Sequence, residues 1–144
     1  MYERIKAGFL KEFGRESDYV FSAPGRTEIG GNHTDHQRGK VLAAAVDLRT
    51  VAAVSENGLG EIRILSEGYP LTRVSLHDLF VHTEESGTTA SLIRGVAAAF
   101  TQRGAALRGF DAYAASTVLP GSGLSSSAAF EVLEIGRASC RERV

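Results

Sequence analysis

Apolar residues near the start of the chain fall at Ile5, Phe9, Leu10 and Phe13, the spacing of one helix face, and predict a helix over Tyr2 to Phe13. Gly14 is the expected stop, because glycine accepts the left-handed backbone that closes many helices. Tyr19 to Ala23 predicts a short strand ended by Pro24-Gly25, and a Gly-rich polar segment follows from Arg26 to Gly39. Val41 to Asp47 and Thr50 to Ser55 predict two further strands, the alanines of the first leaving its type open. Asn57-Gly58 is a turn signal, and Glu61 to Ser66 alternates Ile62 and Ile64 inward against Glu61 and Arg63 outward. Leu71 to Ser75 predicts another strand. Leu92, Ile93, Val96, Ala99 and Phe100 lie on one face of a helix over Thr89 to Arg103. Gly95 inside that helix costs about 1 kcal/mol against alanine, which predicts a close approach by another backbone. Phe110 to Thr117 predicts a strand, Leu119 to Leu124 a loop, and a helix opens at about Ser125. These elements interleave without strict βαβ alternation, so the expected fold is α+β, a mixed sheet with helices on one face.

Composition narrows the class. With 144 residues, 43% hydrophobic and 23% charged, the chain is globular, one domain or a piece of a larger one. It holds no run of eighteen apolar residues of the kind a membrane span needs. The start MYERIKAGFLKEFG mixes acids with bases and lacks a long apolar stretch, against a signal or transit peptide. The lone Cys140 excludes an internal disulfide framework and fits a reducing compartment, so the expected location is the cytoplasm. A net charge of −1 gives no electrostatic case for nucleic acid or an anionic membrane as partner.

Two stretches carry candidate chemistry. In PGSGLSSSAAFEV, Gly121 and Gly123 precede Ser125, Ser126 and Ser127 and a helical run. Glycines there let backbone N–H groups approach an oxyanion, and the helix start adds partial positive charge. Serine hydroxyls can donate to phosphate or ligate Mg²⁺. The P-loop is excluded by the missing lysine, the dinucleotide fingerprint by Ser126 and the hydrolase elbow by Ser127. A capped helix after a flexible loop is the plainer alternative.

The second stretch, APGRTEIGGNHTDHQRGK, gathers Arg26, Glu28, Asn32, His33, Asp35 and His36. It is too polar for a core, and its side chains suit a polyol: a carboxylate accepts from adjacent hydroxyls, while Asn and His both donate and accept. In an extended conformation His33 and Asp35 point to one side. A metal site built on His33, Asp35 and His36 is the rival, disfavoured because this spacing gives at most two ligands from one strand face. A solvated loop is the bland alternative. His77 and His82 are expected at the surface.

Taken together, the two stretches resemble a known family. Ala23-Pro24-Gly25-Arg26 with Gly31-Asn32-His33-Thr34-Asp35-His36 is similar to the galactokinase signature, and Pro120 to Ala129 is similar to the second motif of the GHMP small-molecule kinases. The resemblance covers about Tyr2 to Leu133. It implies ATP-dependent phosphorylation of galactose at the anomeric hydroxyl. By motif position it implies Arg26 as the stabiliser of the transferring phosphoryl group, and Asn32, His33 and Asp35 as sugar ligands. Gly121, Ser122, Gly123, Leu124, Ser125, Ser126 and Ser127 would form the nucleotide phosphate loop, with Ser127 on Mg²⁺. The cofactors implied are ATP and Mg²⁺, and the full-length family member is expected to be a monomer. The implied fold is like the second domain of ribosomal protein S5. Asn32 stands where most members have Glu, and His36 where Tyr is usual, so galactosamine derivatives and arabinose stay open as substrates.

Nothing after Leu133 matches the family's segment bearing the catalytic aspartate. Residues 1–133 are therefore expected to be part of an N-terminal kinase domain, with a galactose-binding motif at about 22–40 and the phosphate loop at 119–129. Residues 134–144, EIGRASCRERV, resemble a translated sequencing adapter and are expected to be a non-native tail. The polypeptide alone is expected to be inactive and poorly soluble. A non-catalytic sugar and ATP sensor, or a kinase for another sugar, are the competing readings.

Overall fold

A computed structural model describes residues 1–31 and 40–118. Helix α1 spans Tyr2–Phe13, followed by strands β1 (Tyr19–Gly30), β2 (Leu42–Glu56), β3 (Glu61–Ser66) and β4 (Thr72–Ser75). A short 3-10 turn at Thr83–Glu85 leads into helix α2 (Thr89–Gln102), and β5 (Phe110–Ser116) completes the described elements. The five strands form one sheet in the order β1-β2-β5-β3-β4. All pairs are antiparallel except β3 with β5, which are parallel, as expected for strands joined across a helical crossover.

Several boundaries follow the sequence pattern closely. Gly14 ends α1 in the left-handed region at φ 69°, its N–H donating to the Leu10 carbonyl. Thr88 caps α2, its hydroxyl accepting from the Ser91 N–H. Ile62 and Ile64 are buried, as their alternation predicts.

Other expectations are corrected. Pro24-Gly25 does not end β1, which runs on to Gly30. β1 lies at the sheet edge, where proline's missing N–H is tolerated. The two strands expected at Val41–Asp47 and Thr50–Ser55 are one continuous β2. The Asn57-Gly58 turn forms with Gly58 at φ 67°, but the strands it joins are not neighbours, since β5 lies between them. No described atom lies within 4 Å of a side-chain position at Gly95, so the close approach predicted there is not found among the described residues.

The α+β class and the mixed sheet hold, but α1 and α2 cover opposite faces of the sheet rather than one. The alternation along β2 decides this: Val51 and Ala53 pack with Ile5 and Phe9 of α1, while Ala52 and Val54 pack with Ile93 and Ala97 of α2. β5 divides in the same way, Ala115 and Tyr113 toward α1, Ala112 and Ala114 toward α2. Small residues on the central strands let both helices approach closely. At Gly8 the fit is tightest, since a Cβ there would lie 2.3 Å from the Tyr113 ring.

The second covered face changes the environment of Arg63. Instead of facing water it lies under the end of α1, its guanidinium 5.5 Å from the centre of the Phe13 ring. There it grips Asp111, Nε to Oδ1 at 2.6 Å and Nη2 to Oδ2 at 2.7 Å. Asp111 is fully buried on β5 and also accepts from Arg15 at 2.9 Å and from the Asn57 amide at 2.8 Å. Arg15 donates in addition to the Ser55 hydroxyl at 2.8 Å, and that hydroxyl donates to Asp18. Burial pushes the Asp111 carboxyl up, but the hydrogen bonds from Arg63, Asn57 and Arg15 outweigh it and hold it below the ordinary 3.8.

Two stability measurements follow. Asp111→Asn leaves two guanidinium groups facing a neutral amide and should cost about 3–5 kcal/mol in urea unfolding at pH 7. The parent's advantage over that variant should be present above the ordinary carboxylate pKa and shrink as pH falls through the depressed folded value. Gly8→Ala gains helix propensity yet should destabilise by about 1–3 kcal/mol, because the Tyr113 ring has to shift. An increase in Tm for Gly8→Ala would show that the contact is soft.

Candidate functional site

β1 and β2 reach well beyond the rest of the sheet. β5 stops pairing at Ser116, opposite Thr50, whereas β1 continues against β2 as far as the Gly30–Leu42 pair. The eight residue steps from Thr50 to Leu42 correspond to an extension of about 26 Å at strand rise. Beyond Thr50, among the described residues, β2 pairs with β1 alone, so this part is a two-stranded arm. At its root the register jumps from Pro24 opposite Arg49 to Arg26 opposite Ala45. Val46, Asp47 and Leu48 thus oppose the single buried Gly25, an irregularity of the bulge kind that bends and re-aims a strand. At the far end Gly31 adopts φ 86°, and a Cβ there would lie 2.3 Å from the Lys40 carbonyl oxygen. Both the backbone angle and the space require glycine at that position.

Arg26 stands on this arm. Its side chain is 54% exposed, and Nη2 donates to Oε1 of Glu28 at 3.3 Å. The two residues are i and i+2 on one strand and so share a face, opposite Ala45 and Ala43 of β2. Both of those cross-strand neighbours are methyl-sized. The guanidinium is a permanent cation with five donors, suited to an anionic or phosphoryl group.

The other residues singled out in the sequence lie outside the described residues: Asn32, His33, Asp35 and His36 in one segment, Gly121, Ser122, Gly123, Leu124, Ser125, Ser126, Ser127 and Cys140 in the other. What is described is where the chain enters those segments. The first begins after Gly31 and ends before Lys40, at the end of the arm. The second begins after Val118, which is buried and donates from its N–H to the Ser116 hydroxyl at 3.0 Å. The preceding Thr117 is tied to Arg49, N–H to carbonyl at 3.0 Å, with the Arg49 N–H returning to the Thr117 hydroxyl at 2.9 Å. Both polar stretches therefore leave the sheet at the same end, the end from which the arm projects.

A second charged group, missed in the sequence, lies at the opposite end. Arg94 of α2 is buried and holds Glu85 with two bonds, at 2.9 and 2.8 Å, while also donating to the Asp78 carbonyl. His82 lies between Asp78 at 3.0 Å and Glu84 at 3.3 Å, so it is a partnered residue rather than a bare surface one. The hydrogen bond with Asp78 raises the His82 pKa above 6.5, and the bond with His82 lowers that of Asp78. The segment leaves the sheet beside Gly60, whose carbonyl accepts from the Leu76 N–H, away from the arm. Its only sequence signal was the density of acids in HDLFVHTEE ahead of a helix. Among the described residues no group of three acidic, His or Cys side chains could hold a metal ion, and no helix is long and apolar enough to cross a membrane.

Residues 7–56, which include the end of α1, β1, the arm and all of β2, match the galactokinase galactose-binding signature. The chain resembles the N-terminal third of a galactokinase. It is 37% identical over 138 residues to the galactokinase of Bacillus subtilis, covering 92% of this chain and 35% of that one. The chain thus spans about a third of the length of the curated relatives it matches. The Lactococcus lactis galactokinase solved with galactose superposes with a TM-score of 0.80 at 24% identity, over 92% of this chain and 35% of that one. The Methanococcus jannaschii mevalonate kinase shares the fold at a TM-score of 0.70 and 17% identity, over 90% of this chain and 42% of that one. The fold is thus shared with these galactokinase and mevalonate kinase structures, and Arg26 falls inside the stretch that matches the galactokinase signature.

The charged group around His82 yields a pH dependence. Its raised folded pKa gives stability that is complete below 6.5 and is lost as pH rises through the folded value. Urea midpoints of the parent and His82→Gln should therefore be furthest apart in mildly acidic buffer and converge above neutrality. A difference that grows with pH would contradict the assignment.

Proposed function

We propose that this chain is the N-terminal part of a kinase that transfers the γ-phosphoryl group of ATP to the anomeric hydroxyl of galactose, giving galactose 1-phosphate. The observation that carries the reading is the signature match over residues 7–56, with Arg26 on an exposed two-stranded arm whose strands lead into and out of residues 32–39. Phosphoryl transfer needs little covalent help from the protein, and positioned positive charge supplies much of the catalysis. Arg26 is assigned that role, stabilising charge on the transferring group. Asn32, His33 and Asp35 are assigned to the sugar hydroxyls, which their mixed donors and carboxylate suit. Residues Gly121 to Ser127 are assigned to the nucleotide phosphates, because two glycines and three neighbouring serines are residue types whose N–H and hydroxyl donors suit an anion. Ser127 is assigned to Mg²⁺, which when bound would neutralise charge that this loop, lacking a lysine, does not.

The same reading assigns residues 1–133 to the N-terminal kinase domain and 134–144 to a non-native tail, and places the protein in the cytoplasm as a monomer. Because relatives extend over about three times this length, the isolated 144-residue polypeptide is assigned no turnover of its own.

The test is galactose-dependent ADP release by the full-length protein carrying this segment, with galactosamine and arabinose as competitors. Galactose should give the highest kcat/KM. Arg26→Met should lower kcat by on the order of 10²–10³-fold while changing KM for galactose little. Full activity of Arg26→Met, or no sugar-dependent turnover at all, would overturn the reading.

A further inference from the structure

We propose that Ser116 is a positioning residue: with Thr50 it fixes the direction in which the chain leaves β5 for Gly121 to Ser127, and so sets the affinity for nucleotide. The inference rests on the assignment of those residues to the nucleotide phosphates. The end of β5 is closely tied. Its last pair with β2 is Ser116 opposite Thr50, and each of the next two residues is held by further bonds. Thr117 is joined to Arg49 in three ways: its N–H donates to the Arg49 carbonyl at 3.0 Å, its hydroxyl to the same carbonyl at 3.2 Å, and the Arg49 N–H to its hydroxyl at 2.9 Å. Val118 is held by the Ser116 side chain at both of its polar main-chain groups.

The proton positions follow from counting donors and acceptors. Thr50 is buried, and among the described residues its hydroxyl lies against one partner, Ser116 Oγ at 2.8 Å. A buried hydroxyl proton without an acceptor is costly, so Thr50 donates and Ser116 accepts. Ser116 Oγ accepts a second bond from the Val118 N–H at 3.0 Å, and its own proton goes to the Val118 carbonyl at 3.2 Å. One donor and two acceptors are the whole capacity of a serine hydroxyl, and all three are used. Thr50 is itself paired on both sides, with Ala23 of β1 and Ser116 of β5, so the anchor belongs to the body of the sheet and not to the arm. The buried Val118 side chain adds to the hold. A chain fixed at Val118 has fewer directions in which to start the stretch toward Gly121, so less order has to be imposed when a ligand binds. Ser116 is not placed in contact with the nucleotide, and its effect passes through Val118.

The experiment uses the full-length protein carrying this segment. Ser116→Ala should raise KM for ATP by on the order of three- to tenfold, with KM for galactose within about twofold of the parent. Ser116→Thr keeps the hydroxyl and should restore the parent's KM for ATP. Ser116→Ala also strands the buried Thr50 hydroxyl, which lowers Tm for a reason unrelated to positioning. Thr50→Val combined with Ser116→Ala removes that penalty, and should recover Tm while keeping the raised KM for ATP. Equal changes in both KM values, an unchanged KM for ATP, or a Ser116→Thr variant as impaired as Ser116→Ala would overturn the proposal. Two readouts do not depend on turnover. Amide exchange at Val118 should be faster in Ser116→Ala, and ATP titrated by calorimetry should bind that variant more weakly than the parent by the same factor as KM. If the parent binds ATP without galactose-dependent turnover, the kinase reading fails and the ratio of the two affinities decides the role of Ser116. If the parent does not bind ATP, the nucleotide assignment and the role of Ser116 fall together.

Discussion

The buried Asp111 carboxylate is the constraint on which the rest of the sheet depends. A charge removed from water is tolerated only if it is closely paired, and here the pairing draws on four separate parts of the chain. Arg63 comes from β3, Asn57 from the turn after β2, Arg15 from the connection between α1 and β1, and Asp111 itself from β5. Satisfying one carboxylate thus sets the parallel register of β5 against β3 and the depth at which α1 ends. The Phe9 and Phe13 rings beneath the two guanidinium groups shield them further. Dispersion and apolar burial supply the bulk of the driving force on both faces, but they are nondirectional. The ion cluster is what makes one arrangement of those faces better than a slipped one.

The two-sided packing is paid for with small side chains. Ala52, Ala53, Ala112, Ala114 and Ala115 form the middle of β2 and β5, and each contributes little area by itself. Their value lies in letting Ile5 and Phe9 approach from one side and Ile93 and Ala97 from the other. Gly8 over the Tyr113 ring is the extreme of the same pattern, where even a methyl group is too much.

The parts legible in the sequence were those set by local periodicity. The limits of α1, the whole of β3 and nearly all of α2 and β5 follow from spacing and, for α1, from the stop at Gly14. The misread parts were decided by neighbours distant in the chain. Pro24 looked like a strand end because proline lacks a donor, and only the edge position of β1 makes it harmless. Arg63 looked solvent-facing because Ile62 and Ile64 face the core, which presumes that only one face is covered. The lone Asp111 in an otherwise apolar strand was a visible hint of a buried partner, but nothing local says that the partners are Arg15, Asn57 and Arg63. For the candidate site, the motif singled out Arg26, whereas the arm that carries it left no local signal. The length of that arm depends on β5 stopping at Ser116 while β1 and β2 continue.

That difference in strand length separates stability from chemistry. The Asp111 cluster is at one end of the sheet and the arm projects from the other, so the residues that hold the fold together are not those assigned to act on a ligand. Among the described residues no third strand pairs with the arm, and the bulge at Gly25 bends the strand at its root. Exposed surface pairs usually contribute little to folding, about 1 kcal/mol or less. The Arg26–Glu28 pair is of that kind, with Arg26 more than half exposed, so stability is set at the Asp111 end of the sheet.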